Sequence, residues 1–512
     1  MTLWYDLLTA QATARPDAAA FSDSLGVRWS YSALAAAASE LSQILTSAGV
    51  QPGDRVMVLA ENCCAVVAAL MASSQCGAVA VPVNARMSAS EVARILDHAR
   101  PAVVLISTQI EGAAQDHAVR LEATPITGCF GQMHMACPYM SSGDAPAEVA
   151  VLLYTTGTTG APKGVMLTQD NLLFGGKASA ELRDMVPNDV IYGVLPLTHV
   201  FGLASVMTAA LYAGSEVWLE ARFSAAKLYE ALRRGVTRLS AVPQMHALVM
   251  QFAKEQGLER LDSSVLQYVS SGAAPLDPDW KRRAESFYGV ALQNGYGMTE
   301  ATAGVCATKN STPGDPDISA GPPLPGVEIR IDESVSGGGA GIGEVLIRGG
   351  NVMLGYYLNP EETARVLDAD GWLRSGDLGR LDDKGFLHIE GRSKELIIHG
   401  GFNVFPPEVE AALNAHPQVV QSAVVGRRNK SDEEVLAFVQ VSGGDRPEVS
   451  DLMQFVRKQL AGYKCPAQII LTEALPAAPT GKILKHKLLE EFASELQPAA
   501  MSGSEAQTPE KV

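Results

Sequence analysis

The chain has no stretch rich enough in lysine and arginine to offset its formal net charge of −16, which argues against nucleic acid as a partner. An anionic substrate would need locally placed cations. Its seven cysteines, Cys63 and Cys64 adjacent among them, show neither metal-ligand spacing nor a secreted disulfide framework, so no zinc site and a reducing, cytoplasmic setting are expected. The opening Met1-Thr2-Leu3-Trp4-Tyr5-Asp6 lacks a basic segment followed by an apolar core, and no signal peptide is expected. The most apolar stretch, Cys63 to Val83, is interrupted by Ser73-Ser74-Gln75 and Gly77 and closes at Pro82. It reads as a buried helix running into a strand, so no integral membrane segment is expected. No long-period repeat is present. With 512 residues, 47% hydrophobic and 19% charged, the chain is globular and too long for one ordinary core, which predicts a large domain with one or more smaller ones.

The run Tyr154-Thr155-Thr156-Gly157-Thr158-Thr159-Gly160-Ala161-Pro162-Lys163-Gly164 collects what a polyphosphate needs. Glycines let backbone N–H groups turn inward, threonine hydroxyls add donors, and the lysine supplies a point charge. A Walker A loop is excluded, because Gly164 rather than Ser or Thr follows the lysine and Pro162 stands where that motif has glycine. Apolar runs on both sides, Val149 to Tyr154 and Val165 to Leu167, predict strand–loop–strand.

Elsewhere helical and strand patterns alternate, which predicts α/β layers around a parallel-rich sheet. Ser30 to Ala48 reads as an amphipathic helix stopped by Gly49, Val56 to Ala60 as a buried strand, and Ser88-Ala89-Ser90-Glu91 as a capping box. Strands are expected at Asp189–Leu195, Ser215–Leu219, Arg238–Val242 and Val265–Val269, and the glycine-rich Ser336–Gly343 as a loop. From Leu396 the elements shorten into a compact α+β pattern: strands at Leu396–Ile398, Val419–Val425 and Val435–Val441, and a helix from Pro406-Pro407-Glu408. The expected division is a large N-terminal domain over 1–392, a small mobile C-terminal domain over 393–496, and a disordered tail over 497–512.

Asn294-Gly295-Tyr296-Gly297-Met298-Thr299-Glu300 gathers an aromatic ring, an amide and a carboxylate in one glycine-punctuated segment. An adenine could stack on Tyr296 and bond Asn294, and Glu300 could hold the magnesium that a triphosphate brings, although a glutamate after such a turn also suits a helix cap. Trp372-Leu373-Arg374-Ser375-Gly376-Asp377 places an acid suited to ribose hydroxyls, with Gly391-Arg392 adding a planar donor. The plain alternative is a turn aspartate and a surface arginine. His199, within Pro196-Leu197-Thr198-His199-Val200-Phe201-Gly202, stands in an apolar run where a satisfied core histidine is the competing reading.

Together with Leu195 to Leu203, Ser270-Ser271-Gly272-Ala273-Ala274-Pro275, Gly343 to Tyr356, Ser375-Gly376-Asp377, Gly391-Arg392-Ser393-Lys394-Glu395-Leu396 and Pro479-Thr480-Gly481-Lys482, these motifs resemble the adenylate-forming acyl-CoA synthetases, in the family's order and over nearly the whole chain. That family includes aryl-CoA ligases, luciferases and peptide-synthetase adenylation domains. The resemblance implies a two-step ligase: a carboxylate attacks the α-phosphate of ATP to give acyl-adenylate and pyrophosphate, and a thiol then displaces AMP. It implies that Lys482 sits over the α-phosphate and carboxylate oxygens. Thr155, Thr156, Gly157, Thr158, Thr159, Gly160 and Lys163 would hold the β- and γ-phosphates, and Glu300 with Thr155 the Mg2+. Gly272, Ala273, Ala274, Pro275, Asn294, Gly295, Tyr296, Gly297 and Thr299 would take the adenine side of ATP, Asp377 and Arg392 the ribose, and His199 would flank the carboxylate. Lys394 falls at the hinge about which the small domain swings, and Gly400, Gly401 and Phe402, with Asn403, resemble the strip lining the thiol tunnel for coenzyme A. Arg427, Arg428, Lys430 and Lys464 could meet its phosphates, or simply form a solvated face.

Departures are modest: Thr156 replaces a commoner serine, and the hinge is lysine where other members have aspartate. Amino-acid-activating relatives carry an aspartate within the segment that is His199 to Leu203 here, and none is present. With Leu203-Ala204-Ser205-Val206-Met207 and the small Ala273 and Ala274, this implies an uncharged acyl group, a medium-chain fatty or aromatic acid. The expected partners are that small carboxylic acid, ATP and CoA, in a monomer or homodimer. Loading of a carrier-protein phosphopantetheine uses the same adenylate and is the alternative, and a non-catalytic nucleotide-binding regulator is a third reading.

Overall fold

The computed structural model describes residues 2–156, 162–263, 265–272, 276–335, 337–399, 402–429, 432–441, 446–478 and 483–496. The chain forms two compact units. The first takes the residues up to Ser375 together with Gly379–Ile389, and the second takes Gly376–Leu378, Glu390–Ala478 and the residues from Ile483 onward.

In the first unit two eight-stranded sheets are formed among the described residues. One runs, edge to edge, through Cys306–Ala307, Leu292–Tyr296, Tyr268–Gly272, Arg238–Ala241, Val190–Gly193, Glu216–Leu219, Ala19–Asp23 and Arg28–Ser30, parallel throughout except at its two outer pairs. The other runs through Gly355–Tyr356, Pro162–Thr168, Val149–Thr156, Val79–Asn84, Arg55–Ala60, Val103–Ile106, Gly131–Ala136 and Thr124–Gly128. Its four central strands are parallel, and all six residues of Arg55–Ala60 are buried, as a strand covered on both faces requires. The α/β expectation therefore holds.

Local chemistry accounts for the elements. Ser30 caps the helix Tyr31–Ser47 by accepting the Ala33 N–H, and Ser88 and Glu91 close the predicted capping box on Ala89–Ala99. The apolar stretch from Cys63 splits as expected into the helix Cys64–Gln75 and the strand Val79–Asn84. One strand is displaced. The apolar pattern places it at Val265–Val269, but it runs over Tyr268–Gly272, because Ser270 buries its hydroxyl on Ser240 Oγ at 2.9 Å and so extends the ladder through polar residues.

In the second unit Val419–Asn429 pairs antiparallel with Asp432–Val441, which pairs parallel with Gln468–Thr472. The helices Pro406–Asn414, Val449–Arg457 and Lys485–Glu491 belong to the same unit. Val409, Leu413, Val424, Val439 and Leu452 share one buried cluster.

Candidate functional site

The threonine-rich run is the tip of an antiparallel hairpin. Val149–Thr156 pairs with Pro162–Thr168, Thr155 opposite Lys163 and Thr156 opposite Pro162, which is the strand–loop–strand form expected. Gly157, Thr158, Thr159 and Gly160 lie outside the described residues, as do Ala273, Ala274, Pro275, Gly400, Gly401, Lys430 and Lys482.

Three further segments of the first unit meet this hairpin. Gly355–Tyr356 adds to its outer strand, the Tyr357 N–H donates to the Gly164 carbonyl at 2.7 Å, and the Tyr356 hydroxyl donates to Glu300 Oε1 at 2.9 Å. Burial, then the nearby Glu300 charge, pushes the Tyr356 phenol above its ordinary range, so it remains a donor. The Lys163 ammonium lies 5.1 Å from the Tyr356 ring centroid and pairs with Glu362. Tyr356 thereby ties the loop lysine to the predicted metal carboxylate. Its importance, and that of Glu362, is not legible locally, because both depend on a strand that arrives nearly two hundred residues after the loop.

Glu300 sits in the short 3-10 turn Thr299–Ala301, and its backbone carbonyl accepts the Met353 N–H at 2.9 Å. Thr302 and Ala303, which follow, hold φ values of +47° and +74°, unusual for residues with a Cβ. Hydrogen bonds fix them: Thr302 Oγ1 donates to the carbonyl of buried Asn351 at 2.6 Å, and the Ala303 N–H donates to the Met298 carbonyl at 3.1 Å. Among the described residues no group of three or more His, Cys, Asp or Glu side chains is arranged to hold a metal by itself. Glu300 offers one carboxylate with one oxygen engaged by Tyr356, which fits an Mg2+ ion that arrives coordinated by phosphates rather than a protein-built cage.

The adenine candidates lie at the carboxyl ends of adjacent parallel strands, with Gly272 opposite Gly295. In an open α/β sheet this is where ligands bind. Asn294 is buried, and its amide donates to the Ser319 carbonyl at 2.9 Å, so part of its bonding capacity serves the fold. Tyr296 is half-buried beside Cys306. Gly297 is exposed yet cannot be substituted freely, since a Cβ there would come within 1.2 Å of the Ala303 carbonyl oxygen. Beneath the neighbouring strand, His246 Nε2 donates to the Ser270 carbonyl at 3.1 Å while Nδ1 accepts from the Tyr288 hydroxyl at 2.9 Å.

Complete burial lowers the His246 pKa to about 4. An unfolded histidine near 6.5 binds protons that the folded site refuses, so stability should fall as pH drops from about 6.5 towards 4, by up to about 3 kcal/mol. Urea unfolding between pH 7 and 4.5 is expected to show a shallower loss for His246→Gln than for the unsubstituted protein. Equal slopes would remove this histidine as the cause.

His199 caps the short helix Val200–Gly202, its Nδ1 accepting the Phe201 N–H at 3.3 Å, so it is half-buried at a helix start rather than enclosed in the core. Asn62 fixes this turn in a way sequence reading missed: its Oδ1 accepts the Leu197 N–H at 2.9 Å, and its Nδ2 donates to the Gly193 and Leu195 carbonyls at 3.1 and 2.9 Å. Phe201 then lies against Gly272, where an added Cβ would come within 3.1 Å of its ring. The following Leu203–Thr208 is a fully buried π-helix, a geometry often kept at functional sites. Phe201 thus stands beside both His199 and the end of the strand Tyr268–Gly272.

In the second unit Asp377 is buried and pairs with Arg392, Nε to Oδ1 at 3.3 Å, so the two ribose candidates are brought together. Lys394 is exposed within the 3-10 turn Ser393–Glu395. Phe402 is exposed with its ring stacked on Tyr463, centroids 4.6 Å apart. Arg427 pairs with Glu434 at 2.6 Å, Lys464 with Glu408 at 2.5 Å and Arg428 with Glu433 at 3.6 Å; the first two cations are largely buried in their pairs, and of the three Arg428 alone stands on a solvated face. Lys485 bridges Glu410 and Glu395 at 2.8 and 3.2 Å. Desolvation opposes its charge, but the two carboxylates outweigh it and the ammonium is held above its ordinary pKa.

A hairpin rich in hydroxyls and glycine, a nearby acid, and small residues at the ends of parallel strands define a nucleotide-using enzyme with a separate small unit. Residues 8–357 match the AMP-binding enzyme family and residues 408–482 its C-terminal domain. The chain belongs to this family of adenylate-forming acid–thiol ligases. It is 35% identical to a feruloyl-CoA synthase of Amycolatopsis sp, over 91% of this chain and 94% of that one, and 33% identical to 4-coumarate–CoA ligase 1 of Arabidopsis thaliana, over 88% and 85%. The ATP-bound structure of MatB from Rhodopseudomonas palustris superposes with a TM-score of 0.82 at 29% identity, covering 95% of this chain and 99% of that one. Among the described residues no helix is long and apolar enough to cross a membrane.

Proposed function

We propose that the protein joins an aromatic or medium-chain carboxylic acid to coenzyme A through an acyl-adenylate. The observation that supports this reading is the linkage of Lys163, Tyr356 and Glu300 beside the tip of the threonine hairpin, where one phenol holds a cation and a carboxylate together. In the first step a carboxylate oxygen of the acid bonds to the α-phosphorus and pyrophosphate leaves. Negative charge grows on the phosphoryl oxygens, and Lys482 is the cation assigned to it. Thr155, Thr156 and the hairpin tip with Lys163 hold the β- and γ-phosphates. Glu300 with Thr155 takes the Mg2+ they carry, Asp377 and Arg392 take the ribose, and Tyr296 and the Gly272 strand end take the adenine.

In the second step the thiol sulfur attacks the acyl carbon and AMP departs. The small domain, 393–496, turns about Lys394 to bring Phe402 and the glycines before it to the thiol path. His199 flanks the reacting carboxylate. The acid is uncharged beyond that carboxylate, because the buried stretch from Val200 to Met207 contains no acidic side chain and is mostly apolar. Aromatic acids are favoured over aliphatic ones by the two curated relatives, which are named for ferulate and coumarate.

Pyrophosphate release measured over a panel of hydroxycinnamic, benzoic and C6–C12 fatty acids, with and without CoA, tests this. Turnover with an aromatic acid that requires CoA and yields its thioester is expected. Thioester formation only on a holo-carrier protein would replace CoA as the acceptor, and selective turnover of an amino acid or dicarboxylate would overturn the assigned pocket.

A further inference from the structure

Lys163 is the one lysine of the threonine hairpin, yet its charge is already matched within the protein. Its ammonium pairs with Glu362 Oε1, and the two side chains are each about four-fifths buried, 21% and 22% exposed. Glu362 lies in the first turn of the helix Pro360–Val366, where the Asn359 side chain accepts its backbone N–H at 3.1 Å. The other carboxylate oxygen, Oε2, accepts from Arg365 Nη1 at 3.1 Å, and the Arg365 side chain is 72% exposed. Lys163 also donates its charge to the face of Tyr356, whose hydroxyl is bonded to Glu300.

We infer that Glu362 is an exchangeable counter-ion for Lys163: it holds the lysine in place over Tyr356 in the absence of nucleotide and gives it up to the phosphates when ATP binds, while Arg365 keeps the released carboxylate paired. This rests on the phosphate-binding reading of Lys163. Three features support exchange rather than a permanent bridge. The lysine cannot satisfy a triphosphate and a carboxylate at full strength with the same donors. The carboxylate has a second cation on its free oxygen, so it is not stranded when the first one leaves. About a fifth of each side chain still reaches solvent, so incoming phosphate oxygens and water can replace the carboxylate at the ammonium. Glu362 would thus lower the affinity for ATP and, equally, for the pyrophosphate that must leave, while keeping the lysine rotamer ordered between turnovers.

The test is a double-mutant cycle on the full chain, with Mg-ATP and Mg-pyrophosphate as ligands and dissociation constants read by calorimetry. Glutamine keeps the shape at position 362 and removes the charge. Glu362→Gln is expected to tighten both ligands by at least about twofold, because the carboxylate that competes with phosphate for Lys163 is gone. In a Lys163→Ala background the same change should have no effect, because no exchange remains to be made. Arg365→Ala should weaken ATP binding in the unsubstituted protein and leave it unchanged alongside Glu362→Gln. Tightening that persists in the Lys163→Ala background would mean simple repulsion of phosphate and overturn the exchange, as would weaker or unaltered binding by Glu362→Gln. Unchanged binding by Lys163→Ala alone would instead overturn the phosphate role of Lys163, and the inference with it.

Discussion

Lys482→Ala is expected to cut adenylate formation about a hundred- to a thousandfold, the loss typical of removing one electrostatic group aimed at transition-state charge. The reason lies in the first step alone. Two anions, the carboxylate and the triphosphate, must come within bonding distance, and charge accumulates on the α-phosphoryl oxygens as they do. A lysine placed there is more valuable in the transition state than in the bound ground state, so kcat falls while ATP affinity changes little. The thiol step does not require that charge. Thioester formation from acyl-adenylate supplied from outside should therefore continue at close to its normal rate. Pyrophosphate release in a single turnover and acyl-CoA formation from added adenylate are the two measurements. An equal fall in both, with the fold intact, would remove Lys482 from its assigned place.

Gly297→Ala should be the most damaging small substitution in the first unit. The added methyl would lie within 1.2 Å of the Ala303 carbonyl oxygen and 2.4 Å of its carbon, so backbone, rather than a flexible side chain, must move. That backbone is already held at positive φ through Thr302 and Ala303, and the Val305 N–H donates to the Tyr296 carbonyl at 2.9 Å, so displacement spreads to both ends of the loop that carries Glu300. Overpacking of this kind costs about 1–3 kcal/mol or more. Thermal unfolding should show the loss, and ATP affinity should fall with it because Tyr296 and Glu300 shift together. Gly462→Ala, with nothing within 4 Å of the added carbon, is the control expected to change neither. A Gly297→Ala protein with normal stability and normal ATP affinity would show that the loop adjusts freely.

Much of the candidate site was legible because its chemistry is contiguous. The hairpin tip, the Asn294-to-Glu300 segment and the acid of Ser375-Gly376-Asp377 each bring their functional groups within a few residues, so types and spacing speak directly. Helix starts were legible for the same reason, since Ser30 and Ser88 bond N–H groups only three residues away. The strand Tyr268–Gly272 was displaced in the reading because the burial of Ser270 depends on Ser240, thirty residues earlier. His199 could be read either as a core residue or as a site residue, and its half-buried place at a helix start depends on Asn62, which braces the turn before it from far along the chain.

By itself the sequence determined the two-part α/β organisation, the strand–loop–strand form of the threonine-rich run and the resemblance to the family, because apolar periodicity, caps and contiguous motifs are properties of neighbours along the chain. Only the tertiary structure decided which distant groups meet at the candidate site: Tyr356 joining Lys163 to Glu300, Glu362 neutralising that lysine, and Ala303 imposing glycine at position 297. The physical reason is that short-range pairing energies depend on distance in space, and a strand or loop arriving from far along the chain sets that distance without leaving a mark on the residues it meets.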